Sequence, residues 1–279
     1  MNNITNNANN IITTQRNKFQ AFPFHLVEQS PWPLVTSLTL LTTTTSAVAY
    51  FQGFAFGGEL LLLGVLLTAS VMALWFRDVV TEATYLGDHT SQVQSGLSLG
   101  FILFVISEVM AFFSVFWSFF HSSLAPTIEI GGTWPPIGIE ALDPFAIPLL
   151  NTILLLSSGA FITWGHHALI QGNRSGAITG TFITIILAII FTALQGVEYH
   201  EAPFSFADSV FGTVFFASTG LHGMHVIVGT IFILVGFIRI INYHLTDSHH
   251  NGFEAAILYW HFVDVVWIFL FISVYYWGS

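Results

Sequence analysis

Residues 101–120 read FILFVISEVMAFFSVFWSFF, and the only charge among them is the carboxylate of Glu108. Twenty residues at a helical rise of 1.5 Å span about 30 Å, the thickness of a bilayer's hydrocarbon core. The run has no alternation of apolar and polar positions and no charged helical face, so it reads as part of a transmembrane span over about 97–120. Six more apolar stretches lie at about 32–51, 59–76, 146–170, 174–197, 209–240 and 253–277, each bounded by polar residues or by Gly and Pro. The expected fold is therefore all-α: a polytopic membrane protein of seven transmembrane helices.

Composition agrees. Among 279 residues there are 5 Lys and Arg and 15 Asp and Glu, so charged side chains are 7% of the chain. An ordinary globular domain carries about 25%, enough to cover its surface. Apolar residues are 54%, aromatic residues 16%, and the mean hydropathy is +0.74. The formal net charge of −10, with so few basic residues, excludes a nucleic-acid binder, which needs clustered Lys and Arg. With no cysteine there can be no disulfide, thiolate metal site, iron–sulfur cluster or cysteine nucleophile.

The chain divides into a polar, Asn-rich tail over 1–21 and a single seven-helix domain over 22–279. The tail lacks an apolar core followed by a small-residue cleavage site, so no secretory signal peptide is expected. Trp32, in Ser30-Pro31-Trp32-Pro33, is placed at headgroup level. Thr42–Thr45 interrupt the first span, which threonine tolerates when its hydroxyl bonds back to the preceding turn. The sixth span is longer than a bilayer requires, so it tilts or emerges. The connection Ser122–Phe145, with Trp134-Pro135-Pro136 and Asp143-Pro144, reads as an irregular loop outside the membrane.

With seven spans, Arg16, Lys18, Arg77, Arg174 and Arg239 all fall on one side. The opposite loops hold Glu59, Glu129, Glu140, Asp143, Glu198, Glu201 and Asp208 without a Lys or Arg. The positive-inside rule then places the N-terminus in the cytoplasm or a mitochondrial matrix.

Two carboxylates stand deep in spans. Glu108 is about 17 Å in, and Asp264 lies at similar depth with His261 one turn earlier on the same face. A charge there is expensive, so each should be paired, protonated or turned toward protein. Glu108 has two readings, a proton-responsive site or a carboxyl hydrogen-bonded to a neighbouring helix. His222 and His225 share a face of span six. Measured from the basic side, His225 is about 21 Å deep and His261 about 12 Å, a mismatch for bis-histidine haem ligation. No Glu-x-x-His pair is present for a carboxylate di-metal site. Interhelical hydrogen bonding is the expected role of these histidines, and no metal ligand is assigned. His166-His167 and His249-His250 read as interfacial anchors, since helical neighbours point about 100° apart. On the basic side Arg77, Asp78, Glu82, Tyr85, His89, Arg239 and His244 could hold anionic headgroups or form a solvated edge. Gly172, Gly176, Gly180, Gly96 and Gly100 suit close helix packing. No phosphate-binding loop, dinucleotide fingerprint or nucleophile elbow appears.

Several runs together resemble a known family. They are Ser30-Pro31-Trp32-Pro33, Trp75-Phe76-Arg77-Asp78-Val79, Ile106-Ser107-Glu108-Val109 and Phe120-His121-Ser122-Ser123-Leu124-Ala125-Pro126. Trp134-Pro135-Pro136, Pro148-Leu149-Leu150-Asn151-Thr152, Trp164-Gly165-His166-His167 and Thr219-Gly220-Leu221-His222-Gly223-Met224-His225 follow. Gly252-Phe253-Glu254-Ala255-Ala256 and Trp260-His261-Phe262-Val263-Asp264-Val265-Val266-Trp267 end the series. In this order, from about Phe22 to Ser279, the chain resembles subunit III of the aa3-type cytochrome c oxidases. The resemblance implies a seven-helix bundle split by a V-shaped, lipid-filled cleft into two and five helices. It implies a non-redox subunit of respiratory complex IV, without catalytic residues, haem or copper of its own. Haem a, haem a3 and copper are implied for partner subunits, and phospholipid for this one. The implied partners are subunits I and II, accessory subunits and a respiratory supercomplex. The implied location is the mitochondrial inner membrane, with the C-terminus in the intermembrane space. Glu108 would match the family's carbodiimide-reactive carboxylate, and Arg77, Glu82, Tyr85, His89, Arg239 and His244 its headgroup contacts. Many relatives carry a second arginine where this chain has Thr81, which puts one phosphate contact in doubt. The rival readings are a bacterial quinol oxidase subunit III and, in another class, a proton-coupled transporter. A transporter should often show paired, broken spans, which are not seen here.

Overall fold

The computed structural model describes residues 22–278; Arg16, Lys18 and the Asn-rich tail lie outside the described residues. Among those described, every regular element is a helix, and seven are long and apolar enough to cross a membrane. These are α1 (Trp32–Phe51), α2 (Gly57–Thr81), α3 (Ser91–Leu124), α4 (Ile147–Ile170), α5 (Arg174–Glu201), α6 (Ser209–Ile241) and α7 (Asn251–Leu270). π-helical turns prolong α2 over Glu82–Leu86 and α7 over Phe271–Trp277.

The helices are those expected from hydropathy, but several outrun the apolar stretches. α2 and its extension carry Arg77, Asp78 and Glu82 inside the helical path, α3 starts at Ser91 rather than 97, and α5 continues to Glu201. Hydropathy marks the hydrocarbon-soluble part of a helix, whereas the backbone ladder continues wherever polar side chains reach water or headgroups. Within α1 the threonine run does what was expected of it. Thr42, Thr43, Thr44 and Thr45 donate to the carbonyls of Leu38, Thr39, Leu40 and Leu41 at 2.9, 2.9, 3.0 and 2.7 Å. Each hydroxyl is satisfied locally, so the exposed Thr42, Thr44 and Thr45 can face lipid.

Two compact units divide the chain between Leu97 and Ser98. In the first, α1 and α2 form a hairpin. A Cβ at Gly64 would stand 2.9 Å from Thr43 Cα, so only glycine permits this approach. Thr43 and Thr68 share a hydroxyl hydrogen bond of 3.1 Å beside it, and Trp32 Nε1 donates to Asp78 Oδ2 at 2.5 Å.

In the second unit, α4 and α5 pack most closely, with Gly180 set against Gly165; a Cβ at Gly180 would stand 2.8 Å from Gly165 Cα. Gly176 likewise faces Ala168. Gly172, Gly96 and Gly100 differ from expectation. A Cβ there meets nothing within 4 Å, and Gly172 instead takes the left-handed conformation (φ 74°) that ends α4. The core lies on α7, whose Trp260 and Trp267 are fully buried. Their indole N–H groups donate to Ser158 Oγ and Thr152 Oγ1, both at 2.9 Å. The second-unit part of α3 packs through aromatic rings: Phe112 on Phe262, Phe116 on Phe269 and Phe119 on Trp277. Arg174 caps the end of α6, donating to the carbonyls of Ile240 and Ile241 at 3.3 and 2.8 Å. Its guanidinium lies 3.8 Å over the Tyr243 ring, which is held at φ 58°.

Candidate functional site

Glu108 sits midway along α3, and His225 of α6 meets it. His225 Nε2 and Glu108 Oε2 are 2.8 Å apart, while His225 Nδ1 is 2.7 Å from the Leu221 carbonyl. A carbonyl only accepts, so Nδ1 carries a hydrogen and Nε2 of the neutral ring is a lone pair. One proton must therefore lie between Nε2 and Oε2, on whichever atom holds it. Phe112 packs edge-to-face against the imidazole and Tyr259 lies parallel to it.

The second carboxylate pairs within its own helix. Asp264 Oδ2 is 3.5 Å from His261 Nδ1, and His261 Nε2 is 3.1 Å from Thr163 Oγ1 on α4. The threonine hydroxyl already donates to the Gly159 carbonyl at 2.9 Å, so His261 Nε2 is the donor to Thr163. Gly159 gives Asp264 its room, since a Cβ there would overlap Oδ2. His222, three residues before His225, makes a different contact: its Nε2 lies 3.2 Å from the Val263 carbonyl, with Trp267 beside the ring. The histidines predicted as a shared face thus serve two different helices.

The six residues expected at headgroups fall in the last turns of helices, on the extension of α2 or just beyond a helix. Arg77, with 64% of its side chain exposed, donates through Nε and Nη2 to Asp78 Oδ1 at 3.1 and 2.9 Å. Two of its five donor hydrogens suffice for that. Glu82 and Tyr85 lie on the π-helical extension of α2, with Tyr85 strongly exposed. Beside them lies His25, whose place in the interfacial stretch Phe22-Pro23-Phe24-His25 does not by itself point to Glu82 or His89. His25 stacks edge-on against His89, and the ligand atoms of His25, Glu82 and His89 lie within 4.8 Å of one another. In the second unit Arg239 lies in the last turn of α6 and His244 just after it.

Two further polar clusters were not anticipated, because each joins residues far apart in sequence. Glu198 Oε1 accepts from Tyr275 at 2.5 Å and Gln195 at 2.8 Å, in a buried network that reaches Asn151. His166, His250 and Glu254 also converge; Nε2 of His166 lies 3.3 Å from Nε2 of His250. Outside the spans, the Ser205 backbone N–H donates to Asp208 at 2.7 Å and holds that carboxyl below its ordinary pKa.

Comparison with known proteins accounts for nearly the whole chain. The family model for cytochrome c oxidase subunit III matches residues 22–279. A protein of Mycosarcoma maydis named cytochrome c oxidase subunit 3 is 62% identical over 269 residues, covering 95% of this chain and 98% of that one. Proteins of the same name from Pyricularia grisea and Neurospora crassa are 58% and 59% identical. They cover 97% and 95% of this chain and 100% and 98% of their own length.

Proposed function

Because this chain belongs to the cytochrome c oxidase subunit III family, we propose that it is the non-redox core subunit III of respiratory complex IV. In this reading it stabilises the catalytic subunit, holds phospholipid and sustains proton uptake while the complex passes electrons from cytochrome c to dioxygen and pumps protons. Haem a, haem a3 and copper reside in the partner subunits I and II, and no residue of this chain is catalytic. The chain spans the mitochondrial inner membrane seven times, with its N-terminus in the matrix and its C-terminus in the intermembrane space. One observation carries the reading: a family match that extends through all seven apolar helices. The fungal relatives support the mitochondrial placement, and the one-sided basic residues support the orientation. Glu108 acts here as a structural group that joins α3 to α6 through His225, and Asp264 as one that holds His261 within α7. Arg77, Glu82, Tyr85 and His89 in the first unit, and Arg239 and His244 in the second, hold phospholipid headgroups. The exposed Arg77 fork supports this, because it has donors beyond those Asp78 occupies.

The test is purification in mild detergent through a tag on this chain. The expected preparation shows the haem a spectrum, contains two larger core subunits and oxidises ferrocytochrome c. A coloured chain purified alone, or a complex that oxidises quinol and not cytochrome c, would overturn the reading. For the lipid role, Arg77→Ala and Arg239→Ala are each expected to lower the phospholipid that co-purifies per haem. An unchanged lipid count removes that assignment.

A further inference from the structure

Near the end of α4 and at the start of α7, three ligand-type side chains face one another. His166 comes from the last turns of α4, His250 immediately precedes α7, and Glu254 is in its first turn. His250 Nε2 is 3.3 Å from His166 Nε2 and 3.3 Å from Glu254 Oε1, and the three ligand atoms lie within 4.8 Å of one another.

Hydrogen bonding fixes what His250 presents. Its Nδ1 lies 2.9 Å from the Thr246 carbonyl, so Nδ1 carries a hydrogen and Nε2 of the neutral ring is a lone pair. His166 Nε2–H can donate to that lone pair. Glu254 Oε1 has no such option, and it faces the same lone pair as a second acceptor. A positive centre among the three atoms relieves the repulsion. Ligand arms of about 2.0–2.1 Å in a tetrahedral zinc site give ligand–ligand edges of about 3.3 Å. Both measured separations at His250 match that edge. The remaining edge closes by rotation of Glu254, whose side chain is 52% exposed, while His250 is buried and fixed. The Thr246 carbonyl is the kind of outer partner that sets tautomer and ring orientation in metal-bound histidine.

We propose that His166, His250 and Glu254 form a site for a divalent cation of the zinc class. Two imidazoles and one carboxylate ligate it, and the fourth position is open to solvent. A bound ion ties the α6–α7 connection to the end of α4. Nothing local in the sequence marks the site, because its two histidines lie 84 positions apart. It rests on this geometry alone and is independent of the role proposed for the chain in its complex.

The experiment uses the full chain in whatever assembly it purifies with, stripped of loosely held metal by a chelator and titrated with zinc, with bound zinc counted per mole of this chain. The wild type is expected to hold one more tightly bound zinc than His166→Ala or His250→Ala. Glu254→Gln, a change at an exposed position, is expected to weaken that zinc by about tenfold or more. His167→Ala and His249→Ala retain it, and magnesium does not displace it. X-ray absorption of the difference zinc is expected to show nitrogen and oxygen neighbours at about 2.0–2.1 Å. Equal zinc counts in the wild type and Glu254→Gln, at equal apparent affinity, overturn the proposal. So does loss of the zinc in His249→Ala with its retention in Glu254→Gln.

Discussion

Two carboxylate–imidazole pairs lie deep in the second unit, and their construction is opposite. Glu108 and His225 come from different helices, approach to 2.8 Å, and place the imidazole in the better buried position, 10% against 25% exposed. Asp264 and His261 come from one helix, stand 3.5 Å apart, and bury the carboxylate at 7% while the imidazole is 42% exposed. The first pair exists only if α3 is docked on α6, so its hydrogen bond contributes to tertiary structure. The second is held by the i,i+3 geometry of α7 and forms whenever that helix forms. Its tertiary component lies in the groups around it, namely Thr163 on the imidazole and the space at Gly159 for the carboxylate. Similar chemistry thus gives one pair that joins two helices and one that is set within a single helix.

The largest effect is expected from breaking the interhelical pair on one side only. His225→Leu leaves Glu108 without its partner in a low-dielectric setting, at a cost of about 3–5 kcal/mol. Loss of this subunit from the complex in a heat or detergent titration measures it. The double variant Glu108→Leu/His225→Leu removes both polar groups and is expected to recover most of that loss, since paired deletion strands nothing. A double variant as unstable as the single one would mean that His225 acts through packing and not through Glu108.

A middle-sized effect is expected at the other pair. Gly159→Ala drives a methyl group into Asp264 Oδ2 and forces the carboxylate off His261. Overpacking of this kind costs about 1–3 kcal/mol. The same titration reads it, and full relief by Asp264→Ala in the Gly159→Ala background would locate the clash. A neutral Gly159→Ala would show that the Asp264 side chain swings aside freely, and would weaken the contrast between the pairs.

The smallest effect belongs to Asp208, a solvated carboxylate that needs no imidazole. Its pKa is lowered chiefly by the Ser205 backbone N–H, so its folded-state value lies below its unfolded one. Such a group adds stability above the unfolded value of about 3.9 and loses it as pH falls through the folded value. Asp208→Asn is expected to lower stability slightly near neutral pH and to flatten its decline in acid. An acid limb identical to the wild type's would remove Asp208 from the account.

Much of the fold is legible residue by residue. Each of the seven apolar runs becomes a helix, because a backbone without water must satisfy its polar groups within its own segment. Thr42–Thr45 are legible for the same reason, since their partners are their own helix's carbonyls. The pairing of His261 with Asp264 follows from spacing alone. Partners on other helices did not follow. His222 and His225 share a helical face, yet one reaches α7 and the other α3. Nor does anything local in Trp164-Gly165-His166-His167 point to His250, or in Gln195 and Glu198 to Tyr275.

By itself the sequence determined the membrane-spanning class, the helix count and the family resemblance. These follow from hydropathy, helical rise and residue order. Tertiary structure alone decided where helices end, which imidazole meets which carboxylate, and which distant residues converge at His250. The physical reason is that lipid supplies no hydrogen bonds. A polar group whose own helix offers no partner, such as Glu108 or Trp260, takes one from whatever helix packing brings within reach, and close packing is permitted by small residues such as Gly165 and Gly180 that let backbones approach.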